Sequence, residues 1–142
     1  MLYTEMTKKA IRLAYKAHQG QTDKCGIPYV FHPYHLAEQM DTEETITAAL
    51  LHDVVEDTDV TMEDLEKEGF PPAVLKALAL LTHDPAVPYM EYVAALKADP
   101  IARAVKIADL IHNSDLNRMD EVNERDLVRV GKYQKALQLL QT

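Results

Sequence analysis

Two stretches of this sequence place ionisable side chains where the hydrophobic pattern asks for apolar ones. In Ala48-Ala49-Leu50-Leu51-His52-Asp53-Val54-Val55, apolar residues cover nearly the whole circumference of a helix, so that helix is buried, yet His52 and Asp53 sit inside the run. The stretch from Ile101 to His112 repeats the anomaly. Asp109 falls four residues after Val105 and eight after Ile101, and so points the way they do. An unpaired buried carboxylate is costly, so each acid requires a cationic partner. An internal His–Asp or Lys–Asp pair between helices would answer for one such residue. Two buried acids and a histidine on separate helices are answered together by a divalent cation.

A third region can contribute. His32, fixed by Pro33 behind it, closes a loop, and His32, His52, Asp53 and Asp109 then form a set of two imidazoles and two carboxylates. Spacing alone does not select this set. Its mixed donors favour Mn²⁺, Fe²⁺, Co²⁺ or Zn²⁺ over Mg²⁺, which prefers oxygens. Consecutive residues of a helix point ~100° apart, so an ion using both His52 and Asp53 must sit at the edge between them.

The elements that must position these residues read as an all-α bundle of seven or eight helices in one domain. Apolar residues recur at helical spacing almost throughout the 142 residues, and alternating strand-type runs are missing. Helices are expected over about 4–18, 34–40, 42–56, 61–69, 73–82, 88–98, 101–116 and 123–140. The punctuation is Gly20, a loop holding Gly26, Pro28 and Pro33, a capping-box spacing at Thr61 and Asp64, and the cap-plus-proline pair Asp99-Pro100. The last helix is expected to turn Leu127, Val130, Ala136, Leu137 and Leu140 inward. It can pack on its own core or on a second copy, which leaves a homo-oligomer open.

Composition narrows the function. Hydrophobic residues make up 47% and charged ones 27%, as in a folded globular domain, and no apolar run approaches the roughly 18 residues a membrane span needs. The stretch Met1 to Lys9 has no apolar core of a signal peptide, and one cysteine, Cys25, suits a reducing, cytoplasmic setting. With 15 Lys and Arg against 23 Asp and Glu, the net charge is −8, which argues against nucleic acid or an anionic membrane as a partner. An anionic small molecule needs local positive charge, from a few basic residues or from a metal.

The motifs, taken in order, are Ala17-His18-Gln19-Gly20-Gln21, Gly26-Ile27-Pro28-Tyr29-Val30-Phe31-His32-Pro33, the run Thr45 to Thr58 containing Ala48-Ala49-Leu50-Leu51-His52-Asp53-Val54-Val55-Glu56-Asp57-Thr58, and Lys106-Ile107-Ala108-Asp109-Leu110-Ile111-His112-Asn113. Over roughly residues 5–118 they resemble the HD-type hydrolase domain of the RelA/SpoT alarmone enzymes, especially the small stand-alone hydrolases of (p)ppGpp. The resemblance implies an all-α fold and Mn²⁺-dependent removal of pyrophosphate from the 3′ position of guanosine tetra- or pentaphosphate. It implies that His32, His52, Asp53 and Asp109 ligate the metal, and that Glu56 and Asp57 orient and activate the attacking water. Lys24 matches a basic position near the phosphates, Asn113 a polar residue that contacts the nucleotide, and Lys106 a family lysine that is a weaker phosphate candidate. Glu56 and Asp57 each follow by four residues a residue of the metal set, so both carboxylates can line one rim a turn on. Two acids so close raise one pKa toward neutrality, which suits proton transfer.

The chain departs from the family pattern at Asp23, where those hydrolases carry an arginine that stacks on guanine, and at His83, Leu110 and Leu116. Other readings are a phosphohydrolase of another phosphorylated nucleotide or cofactor, a non-catalytic metal-containing module that binds a nucleotide, and a helical interaction protein without a site. His112 reads as a supporting or packing residue rather than a ligand. Tyr29 and Tyr34, which flank His32, read equally as packing or as stacking platforms for a base.

Overall fold

The computed structural model describes all residues, Met1–Thr142, and is all-helical. Its elements are α1 (Glu5–Ala17), α2 (Phe31–Glu38), α3 (Glu43–Leu51), α4 (Val54–Asp57), α5 (Met62–Lys67), α6 (Pro72–Leu81), α7 (Tyr89–Leu96), α8 (Pro100–Asn113), a 3-10 turn (Leu116–Arg118) and α9 (Glu124–Gln141). Local chemistry sets most of these limits. Thr4, Thr42, Thr61 and Asn123 each accept from the backbone N–H three residues on, and the side chain at that position reaches back to the cap, closing four capping boxes. Asp99 caps α8 ahead of Pro100, whose missing N–H costs nothing at a first turn. Gly69 ends the α5 region at φ +87°, a conformation that a side chain would strain.

The bundle is organised around α3. Ile46, Thr47, Ala48, Ala49, Leu50 and Leu51 are all buried, with α1, α2, α6 and α8 packed around them. Small residues at the crossings (Ala10, Ala14, Ala37, Ala48, Ala77 and Ala102, all fully buried) let the helices approach closely enough to interdigitate their leucines. Truncating Leu50 or Leu51 to alanine in such a core costs about 2–5 kcal/mol. The last helix packs on α7 and α8, and Arg103 Nε donates to the Leu140 carbonyl (2.7 Å) across that seam. No helix is long and apolar enough to cross a membrane.

Three local expectations are corrected. The single helix over 42–56 is divided: His52 keeps helical dihedrals, but Asp53 turns to φ −106°, ψ 1°, and α4 starts afresh at Val54. The helix expected at Tyr34 begins at Phe31, because Pro33 lies in its first turn, where no N–H is needed. His32 is therefore held by a helix and not by a loop. On α9, Val130, Ala136 and Leu140 are buried, but Leu127 is 56% exposed, since the neighbouring helices cover only part of that face.

Candidate functional site

Side chains from α2, the α3–α4 junction and α8 meet at one buried point. From α2, His32 Nε2 lies 2.9 Å from Asp109 Oδ1 on α8. His52, the C-cap residue that follows α3, brings Nε2 to 3.5 Å from the same oxygen and to 3.0 Å from Asp53 Oδ2. His32, His52 and Asp109 have ligand atoms within 4.8 Å of one another, and so do Asp53, Glu56 and Asp57 beside them. The break after His52 makes this arrangement possible. A continuous helix would swing Asp53 ~100° away from His52, whereas the turned backbone lets both side chains face the same space.

The chemistry of the set fits a divalent metal. His52 Nδ1–H donates to the Ala49 carbonyl (2.7 Å), which commits Nε2 to the interior. There Nε2 is buried and, despite the nearby oxygens, its angles make no hydrogen bond. A buried polar atom without a partner, crowded by two carboxylates, is a defect in a metal-free core and a coordination site in a loaded one. Each ligand also has an outer partner. Tyr29 OH donates to Asp53 Oδ2, and Asn113 Nδ2 to Asp109 Oδ1 (2.9 Å). Lys106 Nζ pairs with Asp109 Oδ2 (2.9 Å), and His32 Nδ1 shares a hydrogen bond with His112 Nδ1 (2.7 Å).

The electrostatics follow from this crowding. Burial alone would raise the Asp109 pKa, but Lys106, with His32 and His52, holds it well below the usual carboxylate range. Burial likewise opposes the Lys106 charge, and Asp109 more than offsets it. Burial and the Arg118 guanidinium push His112 down to about 4, so it is neutral. Its ring stacks between those of His32 and His35, at centroid separations of 5.0 and 4.2 Å. Asp57 moves the other way. Partial burial, then the charges of Asp53 and Glu56, push it up to about 6, where a carboxylate exchanges protons readily near neutral pH.

The remaining expected residues lie around this centre. Glu56 Oε1 accepts from the His83 backbone N–H (2.6 Å), which ties it to the α6–α7 loop. The Asp57 carbonyl accepts from Gln21 Nε2 (2.9 Å), and Gln21 Oε1 faces Nδ1 of the buried His18 (2.9 Å). Lys24 and Asn113 line a cavity of about 260 Å³ with Tyr29, Arg118, Arg129 and Tyr133. A neighbouring cavity of about 450 Å³ reaches His32 and His112. Lys106 is turned inward onto Asp109, with Tyr92 and Tyr89 beneath its ammonium at 5.4 and 6.0 Å. Arg118, Arg129 and Tyr133 carry no signal in the sequence, because none interrupts an apolar pattern. The Asn113 amide and the Tyr29 hydroxyl link the first cavity directly to the metal set.

Comparison with known proteins agrees with this geometry. Residues 10–83 match the family described as HD domain. The chain belongs to the HD-domain family. The chain is 35% identical over an alignment of 123 residues to the guanosine-3′,5′-bis(diphosphate) 3′-pyrophosphohydrolase of Aquifex aeolicus, covering 78% of the chain and 18% of that protein. It is 38% identical over 112 residues to the human guanosine-3′,5′-bis(diphosphate) 3′-pyrophosphohydrolase MESH1, covering 70% of the chain and 62% of the relative. The chain thus spans less than two thirds of the length of these curated relatives. A solved structure of a metazoan ortholog of SpoT, described as hydrolysing ppGpp and acting in starvation responses, superposes with a TM-score of 0.79 at 25% identity. That match covers 99% of this chain and 88% of the other.

Proposed function

We propose that this HD domain is a Mn²⁺-dependent phosphohydrolase that removes pyrophosphate from the 3′ position of guanosine 3′,5′-bis(diphosphate). The observation that carries the reading is the buried, unpartnered His52 Nε2 beside Asp53 and Asp109, with the carboxylates of Glu56 and Asp57 on the adjoining rim. The names and coverage of the Aquifex and human relatives support the substrate class.

His32, His52, Asp53 and Asp109 would hold the ion. When bound, a divalent metal there lowers the pKa of water and neutralises charge on phosphoryl oxygens. Asp57, the carboxylate with the raised pKa, takes the proton of the attacking water, and Glu56, anchored by the His83 N–H, orients that water. The water oxygen joins the phosphorus that carries O3′ and the P–O3′ bond breaks. O3′ regains a proton from Asp57 or solvent, giving guanosine 5′-diphosphate and pyrophosphate. Lys106 keeps Asp109 ionised. Lys24 and Asn113 meet the nucleotide in the cavity between Tyr29 and Tyr133. The setting is proposed as cytoplasmic, with the nucleotide as the partner and homo-oligomerisation to be read from sedimentation.

The test is release of pyrophosphate or phosphate with Mn²⁺ from guanosine 3′,5′-bis(diphosphate), its adenosine counterpart and NADPH, with Asp109→Ala and Glu56→Ala as controls. Release from the guanosine compound, lost in both variants, is expected. Turnover of another compound instead reassigns the substrate, and metal retention with no turnover of any makes the chain a binding module.

A further inference from the structure

In a chain of net charge −8, the 260 Å³ cavity beside the metal set gathers, against two lining carboxylates (Asp23 and Asp115), three cations, Lys24, Arg118 and Arg129. Two of them are already paired. Arg129 Nη1 meets Asp126 Oδ1 at 3.0 Å. Arg118 Nη2 meets Asp23 Oδ2 at 3.2 Å, while its Nη1 donates to the His112 carbonyl (2.9 Å). Asp23 is itself firmly placed. Its Oδ1 accepts from the backbone N–H groups of Cys25 (2.8 Å) and Ile27 (3.0 Å), tying the turn at Gly26, and Oδ2 is left for Arg118. Asp23, Cys25 and Arg118 line both this cavity and its 450 Å³ neighbour, so the ion pair stands at the partition between them.

A lone guanidinium attracts an anion with an energy that falls slowly with distance, whereas a guanidinium cancelled by a carboxylate 3.2 Å away presents only a local dipole. We infer that Asp23 is a specificity-determining residue of this site: by masking Arg118 it lowers the positive charge of the nucleotide cavity. The domain therefore distinguishes weakly between a diphosphate and a monophosphate at the end of the nucleotide away from the scissile bond. This inference rests on the function proposed above and concerns the charge of the substrate it accepts.

The experiment compares KM for guanosine 3′,5′-bis(diphosphate) and for guanosine 5′-phosphate 3′-diphosphate, in the Mn²⁺-loaded wild type, Asp23→Asn, Arg118→Ala and the double variant. Asparagine keeps the Oδ1 acceptor that holds the turn and removes the charge. The expected result is that Asp23→Asn shifts the KM ratio about fivefold toward the more highly charged substrate, with a steeper dependence on salt. Adding Arg118→Ala should cancel the shift. Arg118→Ala alone leaves the Asp23 carboxylate uncancelled and should shift the ratio the opposite way, toward the less highly charged substrate. An unchanged ratio in active Asp23→Asn, or an Arg118→Ala shift in the same direction as that of Asp23→Asn, overturns the inference. If no protein releases pyrophosphate, the functional proposal falls separately. Masking is then read from calorimetric binding of guanosine 5′-diphosphate, which Asp23→Asn should tighten about fivefold and which equal affinities would refute.

Discussion

His52 donates its Nδ1 proton to the Ala49 carbonyl at 2.7 Å, and that bond settles which ring nitrogen faces Asp53 and Asp109. The ligand is thus oriented by the backbone of the helix that carries it. His52→Ala should lower Mn²⁺ affinity by at least about 100-fold, read by calorimetry, while the helical circular dichroism signal stays at the wild-type level.

Asp109 stands between the metal set and a buried lysine. Replacing it by alanine removes a ligand and leaves the Lys106 ammonium without its carboxylate. Breaking a buried pair from one side costs about 3–5 kcal/mol. Asp109→Ala should therefore lose metal and turnover and melt roughly 10 °C or more below wild type, whereas His52→Ala loses metal with a smaller fall.

Glu56 touches no member of the buried His32–His52–Asp109 group in the hydrogen-bond pattern and is exposed, with one oxygen committed to the His83 N–H. Glu56→Ala should keep Mn²⁺ binding within about threefold of wild type and reduce kcat by roughly 10²-fold or more. Metal content and single-turnover rates measured on the same preparation separate the two effects.

Asp57 gives a pH prediction with a defined sign. In the metal-free protein its pKa is raised to about 6 from the model-peptide value of 3.8, so the folded state pays for ionising it. That destabilisation is present in full above pH 6, fades as the pH falls from 6 toward 4, and is gone only below both pKa values, where folded and unfolded forms are protonated. Asp57→Asn should therefore stabilise the metal-free protein at pH 7.5 by about 1 kcal/mol, after allowing for solvent screening at this exposed position. The difference in melting temperature should shrink below pH 6 and vanish only below about pH 3.

Tyr29 is a wall of the 260 Å³ cavity and a donor to Asp53. Tyr29→Phe retains the ring that lies against His18 and His32 and deletes only the hydroxyl. A weakening of Mn²⁺ binding of about tenfold is expected, visible by calorimetry without any substrate. Unchanged affinity would assign Tyr29 to packing alone.

Much of this site is legible in the sequence because buried charge violates a hydrophobic pattern, and a violation is visible without knowing the fold. His52, Asp53 and Asp109 stand out for that reason, and the caps at Thr61 and Asp99 for their local hydrogen-bond chemistry. The break between α3 and α4 is not legible, since no glycine or proline marks it and the apolar run continues through it. The Tyr29–Asp53 and Asp23–Arg118 contacts join residues 24 and 95 positions apart, and both kinds of residue look ordinary on any solvent-facing surface. Leu127 misleads because helical spacing identifies a face without saying whether a neighbour covers it.

The side chains at the centre hang from α2, the α3–α4 junction and α8, which are also the walls of the apolar interior. An ion seated among them fastens three segments that the chain keeps far apart, so loading and unfolding are thermodynamically linked. At a free-ion concentration 100 times the dissociation constant, that linkage is worth about 2.7 kcal/mol. The melting curve of this domain should then serve as a gauge of how much metal its surroundings supply, and a chelator should loosen its architecture before any substrate is added.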